Sequence, residues 1–151
     1  MKKFQFSLET MLGYRQQVLE SKQQEYATAQ GHALTQEHIY FAAQDEYNDF
    51  NDEFCMKKAV GMTVVEAMSC ESCLRTLEDT IKKEKKELLR LEQVAEERRQ
   101  EMILAKQDAS SAEKLREKKL EDYNKAATKA EEAFIDELVA GTWALNRNSA
   151  S

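Results

Sequence analysis

Two heptad repeats of mostly apolar residues, separated by a short break near Gly61, constrain the fold of this chain more than any other feature. The first stripe comprises Leu8, Leu12, Arg15, Leu19, Lys22, Tyr26, Ala29, Ala33, Gln36, Tyr40, Ala43, Tyr47, Phe50 and Phe54. The second comprises Ala67, Cys70, Leu74, Leu77, Ile81, Glu84, Leu88, Leu91, Ala95, Arg98, Met102, Ala105, Ala109 and Ala112. Stripes of this period are typical of coiled-coil seams. The sequence therefore predicts an all-α chain, in which two long helices form an antiparallel coiled-coil hairpin.

The register of that hairpin follows from the residue numbers. In an antiparallel pair, facing residues have numbers that add to a constant. A sum of about 124 centres the turn on Met62 and sets large residues against small ones, such as Leu12 against Ala112. A sum of about 117 also pairs the two seams, but it moves the bend back to Lys58, away from the glycine. We favour the first register and keep the second as the alternative.

The composition supports uninterrupted helices. The chain has no proline, four glycines and 33% charged residues. Two helices alone cannot enclose a catalytic pocket, because each helix buries only one stripe of its surface against the other. We expect one rod-like domain over residues 1–151, with a first helix at about 5–59, a turn at about 60–63, a second helix at about 64–139, and a flexible tail at 141–151 after a stop at Gly141.

The predicted second helix is longer than the first and overhangs it at its C-terminal end. In the favoured register Phe4 already faces Leu120, so residues from about 121 to 139 have no partner in the chain. This overhang still carries an apolar stripe: Leu120, Tyr123, Ala127, Ala130, Phe134 and Leu138. An apolar stripe on an unpaired helix is typical of a docking surface; the alternative is an exposed helix that frays. In the tail, Trp143 is the residue that we expect a partner to bind.

Motifs for chemistry are weak. Cys70 and Cys73 have the spacing of half a zinc site, but a tetrahedral site needs four ligands, and the hairpin brings only Cys55 near them. His32 and His38 lie several helical turns away. We therefore predict no metal, no cofactor, no catalytic residues and no enzymatic activity.

The charge pattern argues against nucleic acid and membrane insertion. The net charge is −6, and the basic run of Lys82, Lys83, Lys85 and Lys86 alternates with glutamates, as on a solvated helix face. The start of the chain lacks an apolar signal-peptide core, and no apolar run approaches the length of a membrane span. We expect a cytoplasmic protein.

The N-terminal and C-terminal motifs resemble the bacterial flagellar FliJ family, over nearly the whole chain. The opening Phe4-Gln-Phe6-Ser-Leu8, followed by Leu12 and Arg15, is similar to the opening pattern Phe-x-Phe-x-Leu, leucine, arginine of that family. The stretch from Lys114 to Tyr123 and the acidic ending Asp136-Glu137-Leu138 resemble its C-terminal helix.

This resemblance implies a soluble component of the flagellar type III protein export apparatus, shaped like the stalk of rotary ATPase gamma subunits. Its terminal end would enter the pore of the hexameric export ATPase and promote ring assembly and activity. Other surfaces would contact the cytoplasmic domain of the export gate protein and escort flagellar substrate chaperones. The location implied is cytoplasmic, peripheral to the inner membrane at the flagellar basal body.

The resemblance also implies two sets of partner-binding residues. The ATPase-facing set is Phe4, Phe6, Leu8, Leu12, Arg15, Leu120, Tyr123, Phe134 and Leu138. The set facing the export gate is Gln36, Tyr40, Tyr47 and Leu77. The members of the second set also lie in the predicted seam, so a purely internal role is the alternative for them.

Two other functions fit the same pattern. The equivalent stalk protein of a virulence type III secretion system would share the fold and mechanism but bind a different ATPase and gate. A generic coiled-coil scaffold would instead form homodimers through the stripe at 120–139.

Overall fold

The computed structural model describes residues 2–150 and contains two helices, α1 (Glu9–Val60) and α2 (Val64–Ser149). Met1 and Ser151, the ends of the predicted domain, lie outside the described residues. The two helices pack against each other as an antiparallel hairpin, and residues 2–150 contain no strand. The predicted all-α hairpin is confirmed.

The turn between the helices forms where Gly61 was predicted to break the seam. Gly61 has a φ of 116°, a conformation that side-chain-bearing residues rarely adopt, and its amide donates to the Lys57 carbonyl at 3.0 Å. A capping box then starts α2. The Glu66 amide donates to Thr63 Oγ1 at 3.2 Å, and the Thr63 amide donates to Glu66 Oε2 at 3.3 Å. These bonds satisfy amides that would otherwise lack partners at the helix start.

The chain divides into two compact units, of which the larger spans Leu19–Leu104. It holds the turn and a two-helix seam with Ala29, Ala43, Phe54 and Leu88 among its buried residues. One buried residue of the seam is polar: Gln36 is 7% exposed, and its Nε2 donates to the Glu84 carbonyl at 3.1 Å and to the Glu84 carboxylate. A satisfied polar pair within an apolar seam favours one register over others.

The smaller unit comprises Met1–Val18 and Ala105–Ser151. Its core is formed by Phe6, Leu12 and Ala112, which are 9%, 5% and 1% exposed, with Phe4 and Met11 packed against them. Ala112 has the least exposed side chain of the core, because the larger Phe6 and Leu12 close over it.

Contacts inside each unit confirm the favoured register. In the larger unit, Lys22 Nζ lies 3.3 Å from Glu101 Oε2. In the smaller unit, Leu12 and Ala112 share one buried cluster. The residue numbers of both pairs add to about 124 and not to about 117.

The first helix starts later than predicted, at Glu9 and not near residue 5. Residues 2–6 have no helical structure, and the Glu9 amide donates to the Phe6 carbonyl at 3.1 Å. The physical reason lies in the spacing of Phe4 and Phe6. Side chains two residues apart share a face only when the backbone is extended, whereas a helix would turn them apart.

The second helix ends later than predicted. The expected stop at Gly141 is wrong, because α2 continues through Gly141 to Ser149, and the flexibility expected of the tail stays a prediction. A glycine inside a helix costs only about 1 kcal/mol relative to alanine, and no proline follows to break the backbone pattern. Within this stretch Thr142 Oγ1 donates to the Leu138 carbonyl at 2.9 Å.

Candidate functional site

The C-terminal part of α2 extends beyond its pairing with the rest of the smaller unit. Leu120, Tyr123 and Ala127 are half-buried, whereas residues 128–149 are all exposed. We call residues 128–149 the free segment. It starts about one heptad later than the predicted overhang, within which Tyr123 and Ala127 are half-buried.

The non-helical N-terminal segment, residues 2–6, contacts Tyr123 in this stretch of α2. The Phe4 ring lies 5.5 Å from the Tyr123 ring, centroid to centroid, and the Tyr123 hydroxyl donates to the Lys2 carbonyl. Phe4 therefore contacts α2 three residues beyond Leu120, the residue that the favoured register sets opposite it. The prediction that the overhang has no partner in the chain is therefore wrong at Tyr123.

The free segment exposes six large apolar side chains on one half of the helix. Phe134 is 62% exposed, Leu138 55% and Trp143 71%, and the others are Ile135, Val139 and Leu145. At about 100° of rotation per residue, all six fall within about 180° of the helix circumference. We call these six side chains the terminal apolar face. None of these six side chains belongs to the buried core of residues 2–150.

Three residues of the terminal apolar face, Ile135, Val139 and Leu145, were not predicted as site residues. Ile135, Val139 and Trp143 recur at steps of four, in parallel with Phe134 and Leu138. That spacing was a usable signal. The expected helix end at 139 left Trp143 and Leu145 outside the stripe, whereas Ile135 and Val139 lie inside the predicted helix and were not selected.

The predicted ATPase-facing residues separate into two groups in the smaller unit. Phe134 and Leu138 are exposed, whereas Phe6 and Leu12 are buried in the core of that unit. The others lie between these extremes: Phe4, Arg15, Leu120 and Tyr123 are half-buried, and Leu8 is 39% exposed. Most of the N-terminal signature therefore holds its own segment against α2.

Polar contacts fix the N-terminal residues against α2. Arg15 Nη1 donates to the Asp108 carbonyl at 3.1 Å, and Arg116 Nε lies 3.1 Å from Glu9 Oε2. The Arg116 guanidinium also lies 5.9 Å from the centroid of the Phe4 ring. Arg15, which matches the arginine of the family signature, therefore contributes to packing in this structure.

Acidic residues outnumber basic ones by four to two on the free segment. Before the free segment, Lys125 Nζ lies 2.9 Å from Glu121 Oε1, and this hydrogen bond lowers the pKa of Glu121 and raises that of Lys125. From residue 130 to residue 146 the charged residues are all acidic: Glu131, Glu132, Asp136 and Glu137. Within residues 2–150 these four carboxylates form no ion pair.

The predicted gate-facing residues all lie in the larger unit: Gln36, Tyr40, Tyr47 and Leu77. Gln36 is buried and presents almost no surface, whereas Tyr40, Tyr47 and Leu77 are half-buried and expose one edge. The Tyr47 hydroxyl donates to Glu78 Oε1 at 3.2 Å, and this hydrogen bond raises the pKa of Tyr47. Lys85 Nζ lies 5.0 Å from the centroid of the Tyr40 ring.

Residues with metal-binding side chains do not converge in the described part of the chain. Within residues 2–150, no three His, Cys, Asp or Glu side chains lie close enough to hold a metal ion. Cys55, Cys70 and Cys73 are free thiols. Neither α1 nor α2, over their described lengths, has the apolar stretch needed to cross a bilayer.

A protein-family model matches nearly the whole of this chain. The family model described as Flagellar FliJ protein matches residues 4–148, which include the N-terminal segment, both helices and nearly all of the free segment. No curated protein and no solved structure matches the chain. Since the matched region covers almost the entire sequence, this chain belongs to the flagellar FliJ family, whose members are components of the flagellar export apparatus.

Proposed function

We propose that this chain binds the hexameric flagellar export ATPase through its terminal end, promotes ring assembly and activity, and connects the ATPase to the export gate and to substrate chaperones. The observation that carries the proposal is the terminal apolar face. Six large apolar side chains exposed on 22 residues of helix are typical of a docking element. We propose no catalytic role for the chain itself.

Docking of a helix into a ring pore uses a few large side chains as anchors. Phe134 and Leu138 lie one turn apart near the middle of the free segment. Replacing both with aspartate places two charges where apolar contact is expected. Losses of about 2 kcal/mol or more per anchor are common in such interfaces, so we expect binding to weaken by at least about 100-fold.

The experiment measures ATP hydrolysis and hexamer formation by the cognate export ATPase with added chain. A truncation ending at Ala127 removes the free segment and keeps Tyr123 in contact with Phe4. We expect stimulation by the full chain and none by this truncation or by the Phe134→Asp/Leu138→Asp variant. The control is Leu104→Asp, because Leu104 is as exposed as Phe134 (61% against 62%) but lies elsewhere on α2.

Two results would contradict the proposal. Equal stimulation by the full chain and the truncation would remove the free segment from the mechanism. No stimulation by any variant, together with a concentration-dependent dimer of the full chain, would favour the homodimeric scaffold. Helicity and thermal unfolding of each variant are measured alongside. A large loss of stability in the aspartate variant would mean that the terminal apolar face packs inside this molecule.

The gate-binding part of the proposal rests on the exposed edges of Tyr40, Tyr47 and Leu77. We expect Tyr47→Ala to reduce capture of the cytoplasmic domain of the export gate protein, while Leu89→Ala, a change at a 54% exposed residue of the same unit, leaves it unchanged. Equal capture of both variants would remove Tyr47 from that surface. Chaperone binding is proposed from family membership alone, and no surface is assigned to it.

A further inference from the structure

Charge and apolar surface are arranged together on the free segment in a way that defines the chemistry of its partner. Glu132 and Asp136 lie one turn apart, and Val139 and Trp143 continue the same row of the helix. The row therefore starts with two carboxylates and ends with two apolar side chains. It forms one edge of the terminal apolar face.

The local energetics of the free chain do not explain these carboxylates. Like charges four residues apart destabilise a helix by a few tenths of a kcal/mol, and Glu132 and Asp136 have this spacing. The preceding stretch of α2 offers lysines, and one of them, Lys125, pairs with Glu121. Lys129 and Arg147 flank the four acidic residues of the free segment, but within residues 2–150 neither forms an ion pair with them. A cationic partner would supply the missing compensation.

We propose that residues 130–146 dock into an apolar groove of the ATPase pore whose rim carries lysine or arginine side chains, with Trp143 buried as an anchor. This inference rests on the proposed function and adds the chemistry of the binding partner to it. A second copy of this chain is the less favourable occupant, because two parallel, in-register segments would bring eight carboxylates close together.

Trp143 has the properties of an interface anchor. It is 71% exposed, it is the only tryptophan in the chain, and it lies two turns beyond Asp136 on the acidic edge. Tryptophan is enriched among the residues that dominate binding energy. Carboxylates beside such an anchor steer association with a cationic rim, and they act mainly on the association rate and its salt dependence.

The single tryptophan also provides the measurement. The chain is labelled with 5-fluorotryptophan, and the ¹⁹F signal of residue 143 is recorded in H₂O and in D₂O, with and without the cognate ATPase. The solvent isotope shift reports whether the indole is accessible to water. We expect the shift to be present in the free chain and lost in the complex.

Association rates test the electrostatic part of the inference. We expect Glu132→Gln/Asp136→Asn to slow association about three- to tenfold at low salt, with the difference vanishing at high salt. The matched control is Asp45→Asn/Asp49→Asn. It removes the same charge at the same spacing from two exposed residues of α1 that form no ion pair within residues 2–150.

Each outcome separates the inference from the proposed function. Stimulation of the ATPase with Trp143 still accessible, or with equal association rates for both charge variants, overturns the inference and leaves the proposed function intact. An isotope shift that disappears in the free chain as its concentration rises identifies a second copy as the occupant and also overturns the inference. Absence of any stimulation or complex overturns both.

Discussion

A size swap across the seam tests the packing of the smaller unit. Leu12 is 5% exposed and lies in one cluster with Ala112, which is 1% exposed. Leu12→Ala removes a buried isobutyl group. Such changes cost about 2–5 kcal/mol, and we expect about 2–3 kcal/mol here, because the rim of a two-helix seam collapses more easily than a globular core. Ala112→Leu alone should cost about 1–3 kcal/mol through overpacking.

The double variant Leu12→Ala/Ala112→Leu should recover at least half of the summed loss, because the new leucine fills the space that the old one left. The control is Leu12→Ala/Ala105→Leu. Ala105 is also buried, at 7% exposed, and it is the residue that would face Leu12 if facing numbers added to about 117. We expect no recovery in this control, since its added side chain lies away from the space left by Leu12.

Urea unfolding followed by circular dichroism at 222 nm measures these changes. With a slope of about 2 kcal/mol/M, the loss expected for Leu12→Ala lowers the unfolding midpoint by about 1–1.5 M. The double-mutant cycle gives the coupling between the two positions, which is about 0.5–3 kcal/mol for residues in contact. Recovery with Ala105→Leu and none with Ala112→Leu would refute the packing described for this unit.

Two further predictions concern the glycines and one ion pair. Gly61→Ala should lower the free energy of unfolding by about 1–2 kcal/mol, because the φ of 116° strains a side-chain-bearing residue. Gly141→Ala should raise helicity, since Gly141 is helical and open space surrounds both glycines. Equal effects of the two changes in thermal melts would contradict this. Hydrogen bonds from Arg98 and Lys22 lower the pKa of Glu101. Pairing by a carboxylate with a lowered folded pKa stabilises the fold above its unfolded pKa, and the contribution disappears as the pH falls through the folded value. Glu101→Gln should therefore reduce the melting temperature at pH 7 and leave it unchanged at pH 2; an equal reduction at both pH values would argue against the pairing.

The seam was predictable from the sequence because its period is fixed by helix geometry. Every position from Leu12 to Phe54 in the first stripe is buried or half-buried in the structure, including the polar Lys22 and Gln36. The register was also predictable, since matching large residues such as Leu12 with small ones such as Ala112 selects one sum over the other. Neither inference required knowledge of contacts beyond the two helices.

The ends of the helices were not predictable from the same pattern. Phe4 and Phe6 satisfy a two-residue period as well as the family signature, and only packing on Ala112 decides in favour of extended backbone. At the other end, Gly141 is a common helix terminator, but the helix continues because no competing turn or proline follows. These two errors moved the expected free segment by about one heptad and left Trp143 and Leu145 outside the predicted helix.

The length of the free segment depends on how far the first helix and the N-terminal segment before it extend along α2, so changes far from it in sequence can alter it. Seven residues inserted between Glu9 and Val18 would carry residues 2–8 one heptad further along α2, by about 10 Å. Phe4 would then pack beside Ala130 in place of Tyr123, and Phe134 would begin to be covered. Deleting seven residues would uncover Tyr123 instead. A single heptad in the first helix therefore sets how far the second helix can reach into a partner.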